Sequence, residues 1–168
     1  LVVICTCLAG GLLWPVQAES DAWDKEESGD YSVENTISLS TTITVTDHLT
    51  LMGLGMEKII YNGDDNGRHF IVNGLLRLAG LNLTRSNTGG GIEVQGGKLT
   101  ITECNFHQTL NANAIIHFVE MQTVSIKYSY FQFDNDDGGV MFSSEPSIEV
   151  TNTTFLGLGL EGQVRSPH

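Results

Sequence analysis

The chain has 168 residues, 40% of them hydrophobic, with 20 acids against 8 Lys and Arg and a net charge of -12. That length can bury one sizeable core, while the acid excess and scattered cations argue against a nucleic-acid-binding protein, which needs a clustered basic face. The histidines His48, His69, His107, His117 and His168 share no metal-ligand spacing, so zinc is unsupported.

Residues 1–18 carry no charge, are apolar for most of their length and end in Val16-Gln17-Ala18. This is the hydrophobic and cleavage part of a secretory signal peptide, with cleavage expected after Ala18. The segment is too short, and too polar at its end, for a membrane span. The sequence begins at Leu1 without a basic leading region, and an N-terminally truncated signal is the expectation. With Cys5 and Cys7 removed, Cys104 is the only thiol left, so no intrachain disulfide can form and stability must come from packing and hydrogen-bonded ladders. The expected location is secreted, extracellular or at the cell surface.

Residues 19–35 hold seven of the twenty acids and one Lys. High charge with little apolar content reads as an acidic leader or linker.

From residue 36 to 156 one eight-residue pattern occurs five times, starting at Leu49, Leu76, Leu99, Val124 and Ile148, at intervals of 27, 23, 25 and 24 residues. A fixed period of this size marks a solenoid or array. The first and third places are always Leu, Ile or Val, and period-two alternation puts them on one face of a strand. Leu49, Leu76, Leu99, Val124 and Ile148 are expected to form one inward column. Met56, Leu83, Phe106, Phe131 and Phe155, in the eighth place, are expected to form another. The second place supplies an outward ladder of Thr50, Arg77, Thr100, Ser125 and Glu149. The fifth place holds Gly53, Gly80, Glu103, Tyr128 and Asn152. Its glycines and asparagine tolerate a left-handed backbone, so a sharp bend is expected there.

A second apolar ladder precedes the first: Ile43 with Val45, Phe70 with Val72, Ile92 with Val94, Ile115 with His117, and Val140 with Phe142. On this pairing His117 points inward as a satisfied interior histidine. Turn residues stand before three of these strands, at 88–91, 111–114 and 136–139. Cys104 reads as a small, semi-buried filler rather than a nucleophile, because no Cys-His-Asn arrangement accompanies it. Residues 157–168 match neither a further unit nor a capping helix, and the chain is expected to continue or to join another element.

The segments TITVTDHLTLMGLG, HFIVNGLLRLAGLNL and GGGIEVQGGKLTITECNF together resemble right-handed parallel beta-helix repeats of the pectin-lyase-like superfamily. They are most similar to repeats of the chlamydial polymorphic outer membrane protein type, whose Gly-Gly-Ala-Ile turn is echoed at Gly89–Ile92 and Asp137–Val140. The resemblance spans residues 37–155. It implies an all-β fold, a right-handed parallel beta-helix of about five coils with no significant helix outside the signal segment, in a secreted or surface protein.

Enzymes on that fold use clustered carboxylates, sometimes with calcium, and a basic residue. Here the richest acidic group is Asp134, Asp136 and Asp137, with Glu145 at a spacing that mimics a calcium loop. Gly138 occupies the position where a ligand would be needed, so these aspartates are weak metal candidates, calcium is the only ion they raise, and no other cofactor is called for. Carboxylates lying together in one turn do not face each other across a cleft, as glycosidic cleavage requires, and no catalytic motif can be carried over. Asn82-Leu83-Thr84 and Asn152-Thr153-Thr154 are glycosylation sequons, with Asn82 expected to be the more accessible acceptor.

Two classes of function follow. The first is a non-catalytic surface or extracellular domain, adhesin-like, binding glycan or cell-surface protein, or serving as a spacer, through the outward ladder. The second is a fragment of a secreted polysaccharide lyase or glycoside hydrolase whose catalytic coils lie elsewhere.

Overall fold

In the computed structural model the described residues are 21–24, 27–55, 58–61, 67–84, 91–108, 116–119, 123–133, 140–142 and 147–156. The signal segment and its cleavage site at Ala18, the tail 157–168, Met56, and Asp134, Asp136 and Asp137 lie outside them, as do most of the three expected turns.

Among the described residues there is no helix, and every paired strand is parallel to its neighbours. Before the first full coil lies β1 (Asp21–Ala22). The coils then run β2 (Gly29–Val33), β3 (Ile37–Leu39), β4 (Ile43–Val45); β5 (His48–Gly53), β6 (Lys58–Tyr61), β7 (Phe70–Val72); and β8 (Leu75–Ala79), β9 (Asn82–Thr84), β10 (Ile92–Val94). They continue with β11 (Lys98–Thr102), β12 (Asn105–Gln108), β13 (Ile116–Phe118); β14 (Thr123–Lys127), β15 (Tyr130–Phe133), β16 (Val140–Phe142); and β17 (Ser147–Thr151), β18 (Thr154–Leu156). The first strand of each coil joins a six-stranded sheet, the second a seven-stranded sheet that begins with β1, and the third a five-stranded sheet. The chain is therefore a parallel β-solenoid. From β4 to β16 it makes about four turns.

Stacking like on like follows from the register. Leu49, Leu76, Leu99, Val124 and Ile148 are consecutive partners across the six-stranded sheet, and the first four are at most 1% exposed. Leu51, Leu78, Ile101 and Ile126 form the second row of that face, also buried. In the seven-stranded sheet Leu83, Phe106, Phe131 and Phe155 are partners in turn. One apolar cluster runs through all the coils, each coil burying its side chains only against its neighbours.

Four differences from the sequence reading have physical causes. The place above Leu83, assigned to Met56, belongs to Ile59, which is fully buried and pairs with both Ile37 and Leu83. Leu49 precedes Ile59 by ten residues where Leu76 precedes Leu83 by seven, so this coil carries three extra residues after its first strand. In β13 the inward residue is Ile116, not Ile115: Ile116 pairs with Ile92, and His117 pairs with Glu93 on the outer face. Two adjacent isoleucines make either phase of the alternation plausible, and a slip of one residue exchanges the faces. Residues 21–22 and 29–33, within the stretch read as linker, are β1 and β2 and pair with β3 and β5. There the exposed Asp30 and Ser32 alternate with Tyr31 and the buried Val33, and Trp23 and Tyr31 pack on the end of the core. Cys104 is fully buried rather than semi-buried.

At the fifth place Gly80, Glu103, Tyr128 and Asn152 have φ of 64°, 54°, 51° and 49°. Glu103 and Tyr128 carry long side chains in a left-handed conformation that costs roughly 1–2 kcal/mol per residue. Rung-to-rung bonds hold them there: the Glu103 N–H donates to the Lys127 carbonyl and the Tyr128 N–H to that of Thr151, each at 3.0 Å. Gly53 does not bend in this way. It needs no side chain for another reason, because a Cβ would strike the Gly80 carbonyl.

In the sixth place, Leu54 and Leu81 in the first two units give way to Cys104, Ser129 and Thr153, which form a polar ladder. Ser129 Oγ accepts the Cys104 N–H (3.2 Å) and donates to the Lys127 carbonyl (2.8 Å), and Thr153 Oγ1 accepts the Ser129 N–H (3.4 Å) and donates to the Thr151 carbonyl (3.1 Å). Each hydroxyl satisfies two backbone groups that the bend would leave buried and unpaired. Cys104 keeps one of these contacts, its Sγ lying 3.3 Å from the Thr102 carbonyl. Burial raises its thiol pKa to about 11, which leaves it protonated and non-nucleophilic at neutral pH.

His69 is the interior histidine of the described chain, 1% exposed, with Nε2 3.0 Å from the Thr84 carbonyl, to which it donates. Burial depresses its pKa to about 4, hydrogen bonds to backbone offsetting part of the effect. A depressed histidine stabilises the fold fully above its unfolded pKa near 6.5, and the stabilisation disappears as pH falls through 4. Between those values the loss is on the order of 3 kcal/mol. Urea midpoints across this range should fall more steeply for the wild type than for His69→Gln, and parallel slopes would contradict the assignment.

Candidate binding face on the six-stranded sheet

Alternation places the second residue of each pattern on solvent. The ladder Thr50, Arg77, Thr100, Ser125 and Glu149 is in continuous register on β5, β8, β11, β14 and β17, and Asp30 on β2 extends it by one rung. Two flanking rows share this face: His48, Leu75, Lys98, Thr123 and Ser147 on one side, and Met52, Ala79, Thr102, Lys127 and Thr151 on the other. Rungs stack at ~4.8 Å, and alternate residues of a strand stand roughly 6.6 Å apart. The result is a regular lattice in which seven of the fifteen side chains are Ser or Thr.

At its C-terminal side an open trough of about 400 Å³ is lined by Lys98, Thr100, Thr123, Ser125, Ser147 and Glu149. Ser125 Oγ donates to Glu149 Oε2 at 3.3 Å, and Lys127 Nζ lies 3.0 Å from Glu149 Oε1. These contacts, Lys127 first, hold the Glu149 carboxyl below the ordinary carboxylate range. Neither Arg77 nor Lys98 has an acidic partner among the described residues.

A second polar group, which the sequence reading missed, lies on the outer face of the five-stranded sheet. Arg68 forms an ion pair with Glu93, Gln95 Nε2 donates to Glu93 Oε1 at 2.5 Å, and His117 Nδ1 lies 3.8 Å from Glu93 Oε2. Partial burial, and then the Arg68 charge, lower the His117 pKa; burial lowers that of Arg68. The signal for this group was the pairing of Glu93 with His117, hidden once Ile115 was taken as the inward residue. Glu93 is engaged on both oxygens and its side chain is 13% exposed, so the group neutralises itself and leaves little to offer a ligand.

Asn82 faces outward on β9, half-buried, and its Oδ1 accepts from Asn105 Nδ2 at 2.8 Å. Asn152 sits exposed on the left-handed bend, the more open of the two sequon asparagines. The described residues contain no group of three or more His, Cys, Asp or Glu that could hold a metal ion. No helix among them is long and apolar enough to cross a membrane.

No protein-family model matches the chain, no curated protein matches it, and no solved structure matches it. What remains to carry function is the chemistry of the faces. The six-stranded sheet presents hydroxyls, two cations without an acidic partner among the described residues, and a groove, which together can hydrogen-bond a flat, repetitive, polar ligand. Sequence reasoning found the central row of this face; it did not find the flanking rows, whose members share no residue type from coil to coil.

Proposed function

We propose that this chain is a secreted or cell-surface, non-catalytic beta-helix domain that binds glycan through the outer face of its six-stranded sheet. The observation that carries the reading is the in-register lattice of Thr50, Arg77, Thr100 and Ser125 opening into the trough beside Lys98. Sugars are recognised by hydroxyl and charged groups held at fixed spacing, and a stacked sheet supplies that rigidity without a cofactor. The apolar leader supports secretion. The repeat motifs support a right-handed coil of the pectin-lyase-like kind with an adhesin-like role.

The test is a glycan-array screen of the chain beside Thr100→Trp, which fills the trough from a half-exposed outward position and leaves the core untouched. At least one glycan class should bind the wild type and lose roughly tenfold or more in the variant, the change expected from removing about 1.4 kcal/mol of binding energy. Equal binding by both proteins, or none by either, would reject the face as a glycan site. Release of unsaturated uronides from a polyuronate, with or without calcium, would replace the reading with that of a polysaccharide lyase.

A further inference from the structure

The two sequons lie in opposite environments. Asn82-Leu83-Thr84 is the whole of β9, a strand bonded on one side to β6 and on the other to β12. Leu83 is 2% exposed in the core, and Asn82 and Thr84 are half-buried on the outer face. Asn152-Thr153-Thr154 instead rounds the corner from β17 to β18, each the last described strand of its sheet. Asn152 and Thr154 are exposed there, and Thr153, whose hydroxyl is bonded within the corner, is half-buried. One rung back at the same corner stands Tyr128, with φ of 51° against 49° for Asn152. Its N–H donates to the carbonyl of Thr151, the residue just before Asn152. Tyr128 is 59% exposed, so its ring gains little from packing while its backbone bears the cost of a left-handed conformation. Glycine would meet that bend without the cost, and the fold alone gives no reason for an aromatic at this place.

We propose that Asn152, and not Asn82, carries an N-linked glycan whose first sugar rests on the ring of Tyr128. The inference takes only the secreted location from the reading above and is independent of the glycan-binding face. The donor is a lipid-linked pyrophosphoryl oligosaccharide, and the catalyst is a transferase of the secretory pathway. The bond from the sugar's anomeric carbon to the pyrophosphate oxygen breaks, that carbon bonds to Asn152 Nδ2, the amide nitrogen gives up one proton, and the lipid pyrophosphate leaves. Usable sequons belong to surface loops, and the corner at 152–154 meets that requirement with both the acceptor amide and the Thr154 hydroxyl exposed. In β9 the acceptor lies between neighbours ~4.8 Å away on either side, its Oδ1 accepts from Asn105 Nδ2, and bringing it out would draw Leu83 from the core. The same ~4.8 Å spacing starts a sugar on Asn152 within one rung of the Tyr128 ring. The apolar C–H face of a pyranose and the face of an aromatic ring both leave water on contact, while the Tyr128 hydroxyl remains available to the sugar's own hydroxyls.

The experiment is expression of the full chain behind a supplied export leader in a eukaryotic secretory host, followed by intact mass and peptide mapping. Supplying the leader separates this test from whether residues 1–18 direct export by themselves. Wild type, Asn82→Gln and Thr154→Ser should carry one glycan, mapped to Asn152, and Asn152→Gln and Thr154→Ala should carry none. Thr154→Ala removes the sequon without altering the residue at the bend, and circular dichroism confirms that each variant is folded. A glycan mapped to Asn82, or an unmodified wild type, overturns the assignment. Thermal midpoints of the wild type and Thr154→Ala, each with and without Tyr128→Ala, then measure what the sugar gains from the ring. The glycan should raise the midpoint by roughly 2 °C or more beside Tyr128 and by clearly less beside alanine. Equal shifts in the two backgrounds overturn the platform role of Tyr128 and leave the acceptor assignment standing.

Discussion

Phe106→Ala should lower the unfolding free energy by about 3–5 kcal/mol, the usual loss when a buried aromatic leaves a cavity that its neighbours only partly fill. Phe106 is 2% exposed and lies flat on Phe131, with ring centroids 4.6 Å apart and planes within 4°. Phe131 in turn stacks on Phe155 at 4.9 Å. Removing the middle of such a column deletes contacts with the rungs on both sides, and a solenoid has no distant contacts through which to compensate. Phe155 stands at the last described rung and is 39% exposed, so Phe155→Ala should cost distinctly less. Urea denaturation of the two variants measures the difference. A loss below about 1 kcal/mol for Phe106→Ala would mean that the site does not lie in a packed interior.

Gly97→Ala should be nearly as damaging, for a backbone reason. Gly97 has φ of 76°, and a Cβ there would run into the Gly74 carbonyl oxygen on the adjacent rung. That same oxygen accepts the Lys98 N–H at 2.8 Å. The substitution therefore combines the roughly 1–2 kcal/mol of a left-handed alanine with displacement of a rung-to-rung bond worth about 1 kcal/mol, for a total of about 2–3 kcal/mol. Gly96 next door is the control. Its added Cβ would sit 3.5 Å from the Asn73 carbonyl, an ordinary contact, and its φ is not in the left-handed range, so Gly96→Ala should stay within about 1 kcal/mol of wild type. Equal thermal midpoints for the two variants would show that the corner between the five- and six-stranded sheets does not stack as described.

The contrast between those two glycines illustrates what could be read from the residues and what could not. From β5 onward the first strand of each coil was legible because its inward places hold only Leu, Ile and Val, so the column Leu49, Leu76, Leu99, Val124, Ile148 follows from period alone. The bend was legible at Gly80 and Asn152. At Glu103 and Tyr128 it was not legible from residue type, because tertiary register holds non-glycine residues in the left-handed region. Loops of unequal length defeat the period: the three extra residues between Leu49 and Ile59 moved the inward place off Met56. Residues 21–33 were masked by their own charge, since alternation with Tyr31 and Val33 spans too few residues to be heard above the surrounding acids. On the binding face, the central row was legible and the lack of an acidic partner for Arg77 and Lys98 among the described residues was not, because charge pairing depends on which rungs are neighbours.

The fold and both sites require residues about two dozen apart to be lateral neighbours. The most direct measurement is disulfide trapping on the outer face, in a Cys104→Ser background, serine being the residue that the next coil carries at the same place. Thr100 and Ser125 are partners on adjacent strands, and Thr100 and Glu149 are separated by one more rung, at spacings of ~4.8 Å and ~10 Å. A disulfide needs Cα atoms within about 7 Å. Thr100→Cys/Ser125→Cys should therefore oxidise to an intramolecular bridge while Thr100→Cys/Glu149→Cys does not. Failure of the first pair to bridge, or equal bridging by both, would contradict the stacked solenoid and every site placed on it.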